Sequence, residues 1–394
     1  MKAKIGLFGF GVVGQGFYQI LAQKNGTAPG QITRICVRDR TKIRPLPPQH
    51  FTFDAADILD DPEITHVVEL TDQPEAAYHI VRTALQRGKI VISANKKMLS
   101  ERVAELSALQ RGTSGTLLYE ASACGSIPIF RNLEHFYAHD EVQGIQGIFN
   151  GSTNFVLTQM TESGLGFAEA LAQAQACGFA ETDPSLDIDA HDPAAKLALL
   201  TAHALGHFFD PQQVFRFGIR TIASADIDFA AAHSRKIRLL AKAQRLANGA
   251  VRALVIPSAV PAANPFFALG NEYNGVLIES RYMDTQLLTG KGAGGYPTGF
   301  AVWSDLVAST QAGTSGYATL HRAQATSPDQ SWRLRVYLRF PDPALRRLIP
   351  GVVAEWERQS ADGLQLIGHL NLQDLVKTRS ELLLAGAFVA QWEA

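Results

Sequence analysis

The chain has 394 residues, 46% of them hydrophobic and 19% charged, enough for two or three domains with substantial cores. A formal net charge of −1 excludes a basic field for nucleic acid or an anionic membrane surface. Cys36, Cys124 and Cys177 are odd in number and far apart, which gives no disulfide framework and no metal-ligand spacing and fits a reducing, cytoplasmic compartment.

Lys2 and Lys4 precede an apolar run from Ile5 to Val13, but Gly6, Gly9 and Gly11 break it. A strand entering a glycine turn is expected there rather than a leader segment. No run of 18 uninterrupted apolar residues occurs, so no transmembrane helix is expected.

Residues 4–8 read as a buried strand. Gly9-Phe10-Gly11-Val12-Val13-Gly14 follows, then a helix from about Val13 to Lys24. In this G-x-G-x-x-G the first glycine makes the turn and the second admits a pyrophosphate. The third lets helix and strand pack closely. The strand 32–37 ends at Arg38, Asp39 and Arg40, with Lys42 behind. An acid there holds the ribose of NAD and arginines hold the 2′-phosphate of NADP; with both present the choice stays open, tilted to NADP.

Strands at 65–70, 90–93 and 117–120 alternate with a helix at 74–86, which predicts a parallel, doubly wound α/β sheet. Lys96 and Glu120 fall at strand ends, where ligands gather in such sheets. Beyond Gly125 the texture changes. A strand at 142–149 leads to Asn150-Gly151-Ser152-Thr153-Asn154, then helices at 155–163 and 167–177.

Residues 178–192 carry five acids, Glu181, Asp183, Asp187, Asp189 and Asp192, ahead of an apolar helix running to about 207. Asp192 reads as its N-cap, with Pro193 at the first helical position. Lys196 is the one charged residue in 194–205, four residues after Asp192. A snorkelling lysine is the plain reading. The alternative is an acid-lined pocket with a proton-bearing lysine, suited to an amino-acid substrate.

Strands are expected at 251–257 and 275–279. A glycine-rich loop at 288–297 precedes a helix from Thr298 to Ala312, and 322–331 reads as a linker. A strand at 333–340 and a helical stretch at 343–358 follow, with short strands and a helix over 360–394.

Taken together, Gly9–Gly14, Ser93-Ala94-Asn95-Lys96-Lys97, Tyr119-Glu120-Ala121-Ser122, Asn150–Asn154, the Glu181–Asp187 and Asp192–Lys196 runs, and Gly290-x-Gly292-Ala293-Gly294-x-x-Pro297-Thr298 occur in an order that resembles homoserine dehydrogenases. The resemblance spans about residues 4–312. It implies NAD(P)-dependent interconversion of L-homoserine and L-aspartate 4-semialdehyde, on the route to threonine and methionine, by a homodimer.

The expected organisation is a Rossmann-type domain at 1–125 with a return helix at about 298–320, an α+β substrate and dimerisation domain at 126–297, and a small C-terminal α/β extension at 332–394. By resemblance Lys196 is the general acid/base, with Asp192 beside it and Lys96 as a second active-site lysine. Glu181, Asp187, Asn150, Gly151 and Ser152 face the substrate, although Ser152 equally suits a helix cap. Gly9, Gly11, Val12, Val13, Gly14, Arg38, Arg40, Lys96, Gly292, Ala293 and Gly294 face the cofactor. A sodium ion is implied on main-chain oxygens near Glu120, Ala123, Gly125 and Ile127.

This sequence departs from the family pattern at Thr71-Asp72, Cys124, Ser126 and Ala190, where glycines are usual. The start of the extension, Leu334-Arg335-Val336-Tyr337, vaguely resembles the first strand of an ACT regulatory domain. Two other readings remain. One is an aspartate-semialdehyde dehydrogenase using Cys124 as nucleophile. The other is an inactive or regulatory NAD(P)-binding homologue.

Overall fold

Apolar runs at the start of the chain are buried on both faces, and this makes them pair side by side with helical crossovers rather than as hairpins. The computed structural model describes residues 2–24, 26–311 and 316–394. Its first unit comprises the chain to Asp140, Ala202–Phe208 and Gly290–Ala325. The strands β1 (Ala3–Phe8), β2 (Gly30–Cys36), β3 (Phe51–Thr52), β4 (His66–Glu69), β5 (Ile90–Ser93) and β6 (Thr116–Leu118) form a sheet in the order β3-β2-β1-β4-β5-β6. Every pairing in it is parallel. The order reverses between β1 and β4, so a crevice opens at the carboxyl ends of these strands.

Helices Val12–Gln23, Pro74–Gln86 and Lys96–Arg111 make the crossovers. The last of these went unread in the sequence, although Asn95 caps it by accepting from Met98 N at 3.0 Å. The expected return helix is Gly295–Ser309, and Ala312 together with residues 313–315 lies outside the described residues. Glycines set how closely it lies on Val12–Gln23. A Cβ on Gly16 would stand 2.2 Å from Gly295 O, and one on Gly299 would stand 2.7 Å from Phe17 N. Two further short strands, β8 (His207–Phe208) and β14 (Gln324–Ala325), pair in parallel, so part of the supposed linker is ordered sheet.

The second unit comprises Glu141–Thr201, Phe209–Thr289 and Thr326–Ala394. Its strands are β7 (Val142–Ile148), β9 (Phe215–Arg216), β10 (Arg235–Arg245), β11 (Val251–Pro261), β12 (Tyr273–Ser280), β13 (Asp284–Lys291), β15 (Arg333–Phe340), β16 (Val353–Ser360), β17 (Gly363–Asn371) and β18 (Phe388–Trp392). They run in the order β13-β12-β7-β10-β11-β18-β15-β17-β16, with β9 attached to β11.

The reading of 343–358 as helical is corrected. Only a short 3₁₀ turn forms at Pro343–Leu348, and β16 then pairs antiparallel with β17. Pro350-Gly351 stops the helix, and sheet pairing decides the rest. The extension is therefore a β-turn-β-β-α-β unit in ferredoxin-like order, β18-β15-β17-β16. It is no appendage: β18 pairs with β11, and Leu334, Val336 and Leu375 share one core with Phe215, Phe217 and Leu254.

His66 on β4 is buried, with Nδ1 2.8 Å from Thr65 Oγ1 and Nε2 3.2 Å from Ser309 Oγ. Burial lowers its pKa from 6.5 to about 4. The unfolded chain then binds the extra proton between those values, so this stability is present above pH 6.5 and is lost as pH falls toward 4. The loss amounts to about 2–3 kcal/mol. Denaturant titrations should show that difference between parent and His66→Asn across this window; parallel pH curves would refute it.

Candidate active site

In the first unit the glycine turn is built as its spacing predicts. Gly9 has φ +89° and its Cβ would lie 2.6 Å from Leu70 O, while a Cβ on Gly14 would lie 2.6 Å from Gly9 O. Gly11 has nothing within 4 Å of its Cβ position. That open side, next to the uncapped start of the helix at Val12, suits a pyrophosphate. Val12 is exposed and Val13 half-buried at the same turn.

Asp39, the acid that competes for the ribose, turns back on its own loop. It accepts from Thr41 N at 2.7 Å, Thr41 Oγ1 at 2.8 Å and Lys42 N at 3.2 Å, and these bonds lower its pKa. Arg38 and Arg40 are exposed. Arg40 lies over the Phe53 ring at 4.7 Å, and Arg38 Nη2 lies 3.7 Å from Asp72 Oδ1.

The Thr71-Asp72 departure has a local cause. Buried Glu69 accepts from Thr71 N at 2.7 Å, Thr71 Oγ1 at 2.6 Å and Ser93 Oγ at 2.7 Å. Burial raises the Glu69 pKa despite these donors. Threonine closes this turn with its hydroxyl, and Asp72 is left facing Arg38. Lys96 stands exposed at the first position of its helix.

Gly292-Ala293-Gly294 leads into the helix at Gly295, with Gly294 at φ +123°. The 120–127 segment lies against this run. A Cβ on Gly125 would stand 2.5 Å from Lys291 O, and Ser126 N donates to Lys291 O at 2.9 Å. Gly125 has φ +58°, whereas Cys124 and Ser126 avoid the left-handed region, so the glycine that the backbone requires is present.

The Glu120 carboxylate accepts from Phe130 N at 2.9 Å and Arg131 N at 2.8 Å. Burial, reinforced by the charge of Asp305, pushes it up to about 8, and burial pushes Asp305 to about 7. With that carboxylate occupied, main-chain oxygens are what this segment offers a cation. Among the described residues no group of three or more His, Cys, Asp or Glu could hold a metal ion. Cys124 is fully buried, which argues against a nucleophile that must reach substrate.

The second unit contains the acid–lysine cluster. Lys196 is 6% exposed; its Nζ lies 2.9 Å from Asp192 Oδ2 and donates to Phe149 O at 2.7 Å. Asn150 Nδ2 donates to Asp187 Oδ1 at 2.6 Å and to Asp192 Oδ2 at 2.8 Å. The Asn150 Oδ1 caps the helix Gly151–Glu162 by accepting from Thr153 N at 2.9 Å.

Asp192 is not the N-cap expected from sequence. The Lys196 helix begins at His191, and the turn falls on Ala190, at φ +63°. Asp192 thus sits in the first turn, one helical turn from Lys196. This alanine occupies a conformation that favours glycine.

The structure brings together Asn150, Asp187, Asp192 and Lys196 and leaves Glu181 exposed on the surface. Ser152 bonds Phe179 O, and Gly151 is constrained by Glu272 O, 2.6 Å from its Cβ position. Sequence reasoning missed the Phe149 carbonyl, because a backbone oxygen carries no side-chain signal. His203, seven residues after Lys196, lies in the first unit as a buried, satisfied side chain, 2.7 Å from Glu134 Oε1 and 2.8 Å from the Tyr119 hydroxyl.

Two family models match the chain: the homoserine dehydrogenase NAD-binding domain over residues 9–120 and homoserine dehydrogenase over 128–307. The chain is 32% identical to the homoserine dehydrogenase of Lactococcus lactis over 317 residues, covering 78% of this chain and 74% of that one. It is 35% identical to that of Synechocystis over 316 residues, covering 78% and 73%. Among solved structures, a homoserine dehydrogenase from Thiobacillus denitrificans superposes with a TM-score of 0.86 at 26% identity, covering 100% of this chain and 98% of the other. The S. aureus enzyme at pH 6.5 gives 0.76 at 28% identity, with both chains fully covered.

Two substitutions probe the cluster. Ala190→Gly should stabilise the protein by about 1 kcal/mol by relieving the left-handed alanine, read as a raised melting temperature. Asn150→Ala should cost about 1–3 kcal/mol, because two carboxylates lose their shared donor and a helix loses its cap. An unchanged melting temperature in either variant would contradict the geometry.

Proposed function

The chain belongs to the homoserine dehydrogenase family, and from that membership we propose how its own residues interconvert L-homoserine and L-aspartate 4-semialdehyde. The observation that carries the reading is the buried Lys196 ammonium held between Asp192 and the Phe149 carbonyl. An aldehyde becoming an alkoxide needs a proton donor at its oxygen, and an alcohol being oxidised needs that proton removed. Lys196 serves in both directions, and Asp192 orients it while stabilising its charge. Asp187, steered by Asn150, holds the polar end of the amino-acid substrate. The family resemblance alone supports a substrate-side role for exposed Glu181 and for Ser152, and a role for Lys96 as the second lysine.

The first unit fits a nicotinamide dinucleotide, which supplies the hydride when bound. The open side of Gly11 and the adjoining helix start take the pyrophosphate, and Gly292–Gly294 border it. The cofactor is NADP: Asp39 is engaged in its own loop, while Arg38 and Arg40 are exposed for the 2′-phosphate. The Gly125 turn fits a sodium ion on the main-chain oxygens of Glu120, Ala123, Gly125 and Ile127. The protein acts in the cytoplasm as a homodimer. Tyr273, Tyr282, Met283 and Leu287, exposed along the β12–β13 edge, are the surface it buries.

Absorbance at 340 nm with L-homoserine tests the activity and the cofactor together. Turnover with NADP should exceed that with NAD. Removing both arginines (Arg38→Ala, Arg40→Ala) should lower kcat/KM for NADP by roughly tenfold or more while sparing NAD. Absence of turnover with either cofactor would overturn the assignment. Equal losses with both would overturn the phosphate role.

A further inference from the structure

The Lys196 helix is fixed a second time, near its far end. His203 follows Lys196 by seven residues, close to two turns, so the two side chains leave the same face about 10 Å apart along the axis. His203 is buried, and its neighbours from Leu197 to Leu205 are apolar apart from Thr201, whose hydroxyl turns back to Leu197 O.

Three segments meet at this ring. Nδ1 lies 2.7 Å from Glu134 Oε1, and Nε2 lies 2.8 Å from the Tyr119 hydroxyl. The Glu134 carboxyl is pushed up by burial, but the bonds from His203 and Thr319 outweigh this and lower its pKa. A carboxylate only accepts, so Nδ1 carries a proton and donates. The same carboxylate accepts from Thr319 N at 2.9 Å and from the Thr319 hydroxyl. Glu134 stands in a π-helical turn, Asn132–Phe136, a rare geometry found often at functional positions. Just past the helix, Gln324 N donates to Gly206 O at 2.9 Å, so the stretch 319–324 grips the helix end at two places. Tyr119, His203 and Glu134 follow the order of a nucleophile, base and orienting acid. Tyr119 is 1% exposed, however, which keeps its oxygen from any substrate.

Apolar packing is non-directional and does not by itself fix the rotation of a helix; hydrogen bonds do. The Asp192–Lys196 pair is a directional hold, but it changes during the reaction. Acid/base chemistry takes the proton from Lys196 and returns it in each turnover, and a neutral lysine loses its charge attraction to Asp192. The helix therefore needs a hold that is independent of that charge. We propose that His203 is a positioning residue for the reaction: anchored by Glu134 and Tyr119, it sets the rotation of the helix and keeps Lys196 Nζ aimed while its charge changes. The proposal rests on the acid/base reading of Lys196 above.

Steady-state kinetics of the intact enzyme test it on the parent, His203→Leu, Lys196→Ala and the double variant, each well below its melting temperature. His203→Leu should lower kcat by roughly 10–100-fold and change KM for L-homoserine less than about threefold. In the Lys196→Ala background the same substitution should bring no further loss, because the group it aims is gone. Equal losses in both backgrounds, or an unchanged kcat in His203→Leu, overturn the proposal. His203→Asn places an amide donor where Nδ1 stood and should restore most of kcat; a variant as impaired as His203→Leu overturns the role of the Glu134 bond. Tyr119→Phe keeps the ring against Phe130 and Tyr317 and removes only the hydroxyl, so it carries the same cycle if the leucine variant does not fold. Its kcat should fall by roughly threefold or more with Lys196 present and not without it. A Lys196→Ala enzyme that keeps the parent kcat removes the acid/base reading itself, an outcome seen before His203 is touched.

Discussion

A lysine ammonium held out of water constrains the whole second unit. A buried charge is tolerable only when paired and hydrogen-bonded, and breaking such a pair typically costs about 3–5 kcal/mol. Here the partners come from two chain segments far apart in sequence. Phe149 and Asn150 follow β7, while Asp187 and Asp192 flank the turn into the Lys196 helix. Asn150 joins the two segments and also caps the next helix. The strained Ala190 turn starts the Lys196 helix early enough for Asp192 to reach the ammonium. Fold and site are set by the same few hydrogen bonds.

The first unit presents the complementary design, an arrangement of backbone rather than charge. Gly9 supplies a left-handed turn, Gly14 a close approach, and Gly11 an empty side. Thr71 substitutes for a glycine by bonding buried Glu69 with both its amide and its hydroxyl. Each departure from the family pattern thus has a local accommodation: Thr71 gains an acceptor, Cys124 and Ser126 leave the positive φ to Gly125, and Ala190 tolerates it.

Much of this was legible in the sequence. The parallel sheet followed from apolar runs alternating with helices, and Lys196 stood out as a lone charge in an apolar helix four residues after an acid. Elements set by pairing rather than by local pattern were not legible. β16 looked helical because its residues face solvent on an edge, so sheet hydrogen bonds and not burial decide its state. Asp192 looked like a cap because Pro193 follows it and because Ala190, which makes the turn, is a poor left-handed former; the one signal at Ala190 was that glycine is usual there in the family. Glu181 looked equal to Asp187 in an acidic run, and only the fold separates the exposed acid from the one that Asn150 holds.

The most direct test of this account is the turnover of Lys196→Ala, with cofactor affinity measured on the same preparation by fluorescence titration. Loss of the proton carrier predicts a kcat lower by roughly 10²–10⁴-fold with dinucleotide affinity unchanged. A variant that keeps kcat within tenfold of the parent would contradict the role of the Lys196 ammonium, and with it the reading of the buried cluster as the catalytic centre.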